Sequence, residues 1–189
     1  MKLDKLWNGL KQIADGDYVL EGDLIVEDHL EVDLDDRLVV RGNVIVKKSI
    51  VVGKSLISNC GIKAGWGIEA GEGIEAGEGI EAGTFIHSEK RIFAGVSVHH
   101  TSQNCKKTIQ CAELRKGEIC FGDLTITKLE LKPCPYCGNS NVRIITPKDI
   151  NKTGEGHAVL CGMDVKGCGA TSGYRATENE AINAWNHRV

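Results

Sequence analysis

A chain of 189 residues allows one or two domains, and its formal net charge of -3 argues against a general nucleic-acid coat, which is normally basic. It contains no apolar run of about 18 residues, so no membrane span is predicted. Its N-terminus lacks the apolar block of a secretory signal, so the eight cysteines indicate thiols or metal ligands in a reducing, cytoplasmic compartment.

The first segment, residues 1–16, carries apolar residues at helical spacing and ends in Gly16, a suitable helix stop. The pattern predicts a capping helix whose apolar face covers the start of the next segment. A repeat array needs such a cap because its terminal coil exposes the apolar core and an unpaired strand edge. The apolar residues of this face are Leu3, Leu6, Trp7, Leu10 and Ile13.

Residues 17–100 contain an aliphatic residue at every sixth position from Leu20 to Val98, without a single exception. A period of six fits neither an α-helix nor a flat strand and is typical of a β-solenoid, in which short strands and corners alternate. With three hexads to a coil, residues 18 apart stack, which predicts a mainly β fold with four to five coils. The stacked residues would form three columns. The first is Leu20, Leu38, Leu56, Ile74 and Ile92, the second is Val26, Val44, Ile62, Ile80 and Val98, and the third is Val32, Ile50, Ile68 and Ile86.

A second inward position follows each aliphatic by two residues, because side chains i and i+2 of a strand share a face. These positions change from Leu34 and Val40 in the early coils to Ala64 and Ala70 in the later ones. Glycines fill the later corners, where we expect a positive φ. They are Gly65, Gly67, Gly71, Gly73, Gly77 and Gly79.

The period resembles the left-handed hexapeptide helix of acyltransferases, but here the small residue follows the aliphatic one instead of preceding it. The handedness of this solenoid therefore stays open. Such enzymes use a histidine as general base. His87 follows an inward Ile86 and is expected to point to solvent, while His99 and His100 lie near the end of the repeat. We predict a protein that is not an enzyme and keep an acyltransferase as the second alternative.

The stretch from Asp15 to Asp36 has ten acidic residues and no Lys or Arg. It could be an ordinary solvated face, or an anionic surface that fits the basic DNA-binding groove of an enzyme. Both interpretations stay open at this point. The acidic residues are Asp15, Asp17, Glu21, Asp23, Glu27, Asp28, Glu31, Asp33, Asp35 and Asp36.

Residues 101–130 break the hexad and are interpreted as a C-terminal cap and linker. Cys105, Cys111 and Cys120 in this segment lack the spacing of a metal-binding turn. Together with Cys60 they are expected to pack as small apolar groups.

Residues 131–189 begin with LKPCPYCG, in which Cys134 and Cys137 form a Cys-x-x-Cys-Gly turn that points two sulfurs at one metal. Cys161 and Cys168 would complete a tetrahedral, structural zinc site, with His157 as a substitute ligand. Four thiolates leave no open coordination position, which argues against catalysis by this metal. A helix with a Thr177–Glu180 capping box ends the chain, with Ala181, Ile182 and Trp185 facing inward.

The LKPCPYCG opening, the later CGA at Cys168–Ala170 and the closing Ala-Ile-x-Ala-Trp-Asn-x-Arg at 181–188 resemble the Lar-like restriction alleviation family of phage and prophage zinc ribbons. The longer Cys161-to-Cys168 spacing departs from that family and indicates an inserted loop. The resemblance implies a small α+β zinc ribbon and modulation of host restriction enzymes in the host cytoplasm, with no catalytic residues to transfer.

The leading hypothesis is a phage-type counter-defence protein that acts by binding a host defence or restriction protein. The first alternative is a nucleic-acid-binding zinc ribbon on a solenoid scaffold. The flat faces of a solenoid are also suited to a homo-oligomer, of unspecified number.

Overall fold

The computed structural model describes residues 1–96, 107–146, 156–162 and 167–187. The chain divides into two compact units, Met1–Thr127 and Lys128–Val189. Among the described residues, no helix is long and apolar enough to cross a membrane.

The first unit is a β-solenoid made of short strands, which confirms the predicted fold class. Its strands are β1 (Lys2–Asp4), β2 (Leu10–Gln12), β3 (Tyr18–Leu20), β4 (Leu24–Val26), β5 (Leu30–Asp33), β6 (Leu38–Val40), β7 (Val44–Val46), β8 (Ile50–Val52), β9 (Leu56–Ser58), β10 (Ile62–Ala64), β11 (Ile68–Ala70), β12 (Ile74–Ala76), β13 (Ile80–Ala82), β14 (Phe85–Ala94), β15 (Thr108–Cys111), β16 (Glu113–Phe121) and β17 (Asp123–Ile126).

Parallel pairing of successive coils builds three faces. One face is the sheet β4-β7-β10-β13-β15-β17, and the other two belong to a single sheet because β14 and β16 each continue around a corner. Each face carries six parallel strands among the described residues, and β2 adds an antiparallel seventh to one of them, so the solenoid has about six turns instead of the predicted four to five.

The additional turns come from the segment interpreted as a cap and linker. Strands β15 and β17 continue the parallel stack, since Ile80 pairs with Ile109 and Ile109 pairs with Leu124. These partners are 29 and 15 residues apart, so coils of unequal length continue the stack after the hexad spacing is lost. Over residues 108–126, the segment predicted as a cap and linker therefore continues the solenoid instead.

The first coil is in a different register from the prediction. Tyr18 pairs with Leu38 and Leu24 with Val44, a separation of 20 residues, whereas Leu38 pairs with Leu56 at the expected 18. The predicted Leu20–Leu38 step is thus wrong by two residues. Since side chains two apart share a face, a two-residue shift keeps every aliphatic inward and leaves no trace in the hexad pattern.

The predicted N-terminal capping helix is wrong, although the segment does cover the first coil. Strand β1 pairs in parallel with β5, and β2 pairs antiparallel with β3. Leu6, placed on the apolar helix face, is 87% exposed, while Trp7 and Leu10 pack against the core. The unpaired backbone groups of the first coil need partners, which strands provide and a helix does not.

The core is a continuous stack of aliphatic side chains. Every aliphatic of the six-residue series from Leu20 to Ile92 is buried, and Val98 lies outside the described residues. The small second positions include Ser58, whose hydroxyl donates to the Gly42 carbonyl at 2.7 Å and so carries no unpaired polar group into the core.

None of the six predicted corner glycines has a positive φ, and at Gly65 and Gly71 close stacking of the backbone explains the residue instead. A Cβ on Gly65 would lie 2.0 Å from the carbonyl oxygen of Lys47, and one on Gly83 would lie 2.0 Å from that of Gly65. The positive φ angles of this unit occur elsewhere, for example at Gly117, where β16 turns its corner. Backbone approaches backbone at the stacked corners, which leaves no room for a methyl group.

The second unit combines an antiparallel pair, β18 (Val142–Ile145) and β19 (Ala158–Cys161), with one helix, α1 (Glu178–Asn186). The Thr177 hydroxyl accepts from the Glu180 backbone N–H at 3.2 Å, which is the first half of the predicted capping box. As predicted, Ala181, Ile182 and Trp185 are buried.

Candidate metal centre

The four predicted ligands, Cys134, Cys137, Cys161 and Cys168, come together in the second unit with their sulfurs within 4.8 Å of one another. Two of the sulfur–sulfur distances are 3.5 Å, between Cys134 and Cys168, and 3.6 Å, between Cys137 and Cys161. Four sulfurs at ~2.3 Å from one zinc would be about 3.8 Å apart, so the cluster has the dimensions of a tetrahedral thiolate site. These residues could hold a metal ion.

The first pair of cysteines is positioned by a tight backbone turn. The Cys134 N–H donates to the Asn139 carbonyl at 2.9 Å, and the Gly138 N–H donates to the Cys134 carbonyl at 2.8 Å. Gly138 has a φ of 70°, a conformation that disfavours other residues. The Asn139 N–H is directed at the Cys137 sulfur.

The second pair repeats this turn bond for bond. The Cys161 N–H donates to the Ala170 carbonyl at 2.9 Å, and the Gly169 N–H donates to the Cys161 carbonyl at 3.2 Å. Gly169 has a φ of 75°, and the Ala170 N–H is directed at the Cys168 sulfur. The site is therefore formed by two equivalent knuckles, despite their different spacing in the sequence.

The residues that flank the predicted inserted loop of the second knuckle are held together by a backbone hydrogen bond. The Gly167 N–H donates to the Gly162 carbonyl at 2.9 Å, and residues 163–166, where the loop was predicted, lie outside the described part. A Cβ on Gly167 would lie 2.2 Å from the Gly162 oxygen and 2.7 Å from the Cys161 sulfur. Gly167 therefore lets the longer segment adopt the geometry of a two-residue spacer.

The thiols sit in unequal surroundings. Hydrogen bonding from the Asn139 backbone N–H lowers the pKa of Cys137 to about 7. Burial raises the pKa of Cys161 to about 12. Cys134 and Cys161 are buried against Val159, Ala181, Ile182 and Trp185, whereas Cys137 and Cys168 are exposed. One side of the cluster is thus anchored in the small core and the other side meets solvent.

His157 is not part of the cluster among the described residues, so the all-cysteine ligand set is the one that the structure brings together. The His157 backbone pairs with Arg175 at 2.7 and 2.8 Å, and its Nδ1 is buried without a hydrogen-bond partner in the described region. Backbone N–H groups near the sulfurs, from Asn139 and Ala170, were not identified from sequence. The repeated Cys-Gly dipeptides were the available signal.

The remaining cysteines have mixed outcomes. Cys111 is buried in the solenoid core, where burial raises the pKa of its thiol, and Cys60 is half-buried. Cys120 is exposed, so the prediction that it packs as an apolar group is wrong. It lies on β16, in the last turn of the solenoid that the structure describes. Cys105 lies outside the described residues.

His87 and the acidic candidates other than the buried Asp17 lie on the outer surface of the solenoid. His87 points outward, as predicted, and contacts Glu89 through Nε2 at 2.8 Å, while His99 and His100 lie outside the described residues. The acidic stretch receives cations from the N-terminal segment and the second coil, which reduces its negative charge. The ion pairs are Lys2 with Glu31 and Asp33, Lys5 with Asp35, Arg37 with Asp17, Lys47 with Glu27, and Lys48 with Asp28.

The sequence model of the family described as restriction alleviation protein Lar matches residues 129–189. The second unit of the chain, with its four clustered cysteines, is thus similar to that family over its whole length. Comparison with curated proteins and with solved structures gave no significant match.

Proposed function

We propose that this protein is a phage-type restriction alleviation protein that acts without catalysis by binding a host restriction or defence protein. The observation that carries the proposal is the family match over residues 129–189, which begins within two residues of the second compact unit and includes all four clustered cysteines. The solenoid would serve as a rigid body on which this ribbon is presented.

The proposed metal is zinc, in a structural role. Four sulfurs at tetrahedral spacing are typical of structural zinc sites, and they leave no coordination position for a substrate. Cys134, Cys137, Cys161 and Cys168 would hold it, and the metal would contribute folding free energy to a unit of about 60 residues with a small apolar core. Elemental analysis of the purified chain should find one zinc per molecule, and Cys137→Ser should remove it while Cys120→Ser should not.

The function is tested by plating unmodified phage on a restricting host. Expression of the protein should raise the plating efficiency on that host and leave it unchanged on an isogenic host without the restriction system. Cys137→Ser should abolish the effect because the ribbon loses its metal, and Cys120→Ser, an exposed cysteine of the other unit, should retain it. An unchanged plating efficiency with the unaltered protein would refute the proposed role.

The binding mechanism needs a separate test. The tagged chain should recover a subunit of a restriction or immunity enzyme from lysate of a restricting host, identified by mass spectrometry. The matched bait is the Cys137→Ser chain, which retains the solenoid. If plating efficiency rises but neither bait recovers such a subunit, the anti-restriction role would stand and the host-protein mechanism would not.

A nucleic-acid-binding ribbon is the second candidate, favoured by two exposed aromatic side chains of the second unit, Tyr136 and Tyr174. Exposed aromatics can stack on unpaired bases, at about 1–3 kcal/mol per base. A gel shift with single-stranded DNA should then weaken with salt and with Tyr136→Ala. If salt and Tyr136→Ala leave the mobility of the DNA unchanged, this candidate should be abandoned.

A further inference from the structure

The two ends of the solenoid are finished differently. At the N-terminal end, β1 covers the edge of β5 and β2 covers the edge of β3, while Trp7 and Leu10 pack on the core. At the C-terminal end, β17 is the last strand of its sheet, and β16 pairs only with β14 among the described residues. At the N-terminal end, strands of the same chain therefore cover two of the three faces and β4 is the edge of the third, whereas the C-terminal end presents the edges of β16 and β17 among the described residues.

The open end also exposes side chains that belong to the core. Leu124 and Ile126 align with Ile109 and Cys111, both of which are fully buried. Register therefore directs Leu124 and Ile126 to the interior, yet they remain 40% and 55% exposed because β17 is the last strand of its sheet in the described part of the chain. An uncovered apolar edge of this kind is a template for pairing with another strand.

The backbone of β17 is oriented for such pairing. The N–H groups of Asp123 and Thr127 donate to Lys107 and Cys111 of the preceding coil, each at 2.8 Å. Successive residues of a parallel strand direct their backbone groups to opposite sides. The N–H and carbonyl groups of Leu124 and Ile126 therefore point away from the solenoid, toward the open end.

We propose that two copies of this chain associate end to end through their C-terminal coils, about a two-fold axis. Antiparallel pairing of β17 with its symmetry mate, centred on Thr125, brings Leu124 of one copy opposite Ile126 of the other. The two residues then exchange both backbone hydrogen bonds, and their interior side chains pack together. The same contact occurs twice, as two-fold symmetry requires.

The same axis passes through the opposite corner of the terminal coil, where β16 turns at Gly117 between its two faces. Antiparallel pairing about Gly117 places Lys116 of one copy opposite Glu118 of the other, and the reverse. Both side chains are exposed in the single chain, where Lys116 also forms an ion pair with Glu89. The edge is therefore complementary in charge to a second copy of itself, which favours a copy of this chain over an unrelated partner.

The state of the N-terminal end decides between a dimer and a filament. Head-to-tail stacking would pair β17 with β4, the other edge strand of the same sheet, but the interior residues Leu24 and Val26 of β4 are already buried. On the other two faces, β2 and β1 cover the edges of β3 and β5. Among the described residues, uncovered interior side chains on the edge strands of this sheet lie at the C-terminal end, so we expect the association to stop at two copies.

Light scattering after size-exclusion chromatography of the full chain tests the proposal. The unaltered protein should elute as a dimer that dissociates on dilution, and Ile126→Arg should give a monomer with an unchanged thermal unfolding midpoint. The matched control is Ile25→Arg, which changes an isoleucine that is 62% exposed on β4, the first strand of the same sheet. This control should stay dimeric. A monomer at every concentration, or a dimer lost equally in Ile25→Arg, would overturn the proposal.

Charge reversal tests the register. Glu118→Lys alone and Lys116→Glu alone should each be monomeric, because the symmetry places like charges opposite each other. Mixing the two variants should restore a heterodimer, since each Lys then faces a Glu. A dimer that persists in Glu118→Lys, or a mixture that remains monomeric, would contradict the two-fold pairing.

Discussion

The two units of this chain are held together in opposite ways. The solenoid distributes its stability over many equivalent aliphatic layers, each buried by the coils beside it. The second unit has a small core of Cys134, Val159, Cys161, Ala181, Ile182 and Trp185 and concentrates four sulfurs at one point. A small domain of this size buries little apolar surface, so a metal is a common supplement. We therefore expect the solenoid to stay folded when one buried side chain is truncated, and the ribbon to unfold when its metal is removed.

Removal of the metal should give the largest effect and affect only one unit. Structural zinc contributes about 10–16 kcal/mol of apparent binding free energy in small zinc domains, more than such a core supplies. Cys161→Ser or a strong chelator should unfold the ribbon and make Trp185 fluoresce as an exposed indole. The β signal of the solenoid in circular dichroism should persist. Cys120→Ser serves as the control. Simultaneous unfolding of both units on metal removal would contradict the expected difference between them.

Loss of one solenoid layer should have the next largest effect. Ile68→Ala should lower the free energy of unfolding of the first unit by about 2–5 kcal/mol, because it leaves a cavity in a fully buried stack. Urea denaturation measures this, with Ile25→Ala on the exposed surface as the control. Zinc content should not change. A solenoid that fails to fold with Ile68→Ala would show that its stability is not distributed.

Two glycines allow the same perturbation to be compared in both units. Gly65→Ala and Gly167→Ala would each place a methyl group about 2 Å from a backbone oxygen, at 2.0 and 2.2 Å respectively. Each should destabilise its own unit by about 1–3 kcal/mol, as overpacking does. Only Gly167→Ala should also weaken zinc binding, which competition with a chromogenic chelator would measure. Equal zinc affinity in the two variants would contradict the role of Gly167 in closing the second knuckle.

Acidification should have the smallest effect, and it should act on the two units at different pH values. Hydrogen bonding from Lys5 and then from Tyr18 lowers the pKa of Asp35 from 3.8 to about 2. Because the folded value is depressed, this contribution is complete above pH ~4 and is lost as pH falls through about 2. Asp35→Asn should therefore cost slightly at neutral pH and nothing near pH 2, in thermal unfolding of the first unit.

The ribbon should respond to acid earlier, because its thiolates must take up protons when the metal leaves. Its zinc should be released before the Asp35 contribution to the solenoid disappears. A ribbon that keeps its zinc below the pH at which Asp35 is protonated would reverse the expected order.

Much of the fold could be predicted because the relevant signals are local. The six-residue period identified the inward residues, since the direction of a side chain depends only on its position along a strand. Cys134 and Cys137 predicted a metal-binding turn for the same reason. The N-terminal segment was mispredicted because its spacing fits a helix, whereas the edge of β5 supplies hydrogen-bond partners that no local pattern reveals.

By itself, the sequence determined which residues of the six-residue series face the core, which four cysteines could share a metal, and where the final helix begins. The tertiary structure alone decided which residues stack on which, and it showed that a 20-residue first coil and a 29-residue later step belong to one array. It also showed that the two knuckles form the same turn although their cysteine spacings differ, because Gly167 bonds to Gly162 in the longer one. The reason is that the direction of a side chain depends on its position along its own strand. The register between strands depends on how each corner packs against the preceding coil.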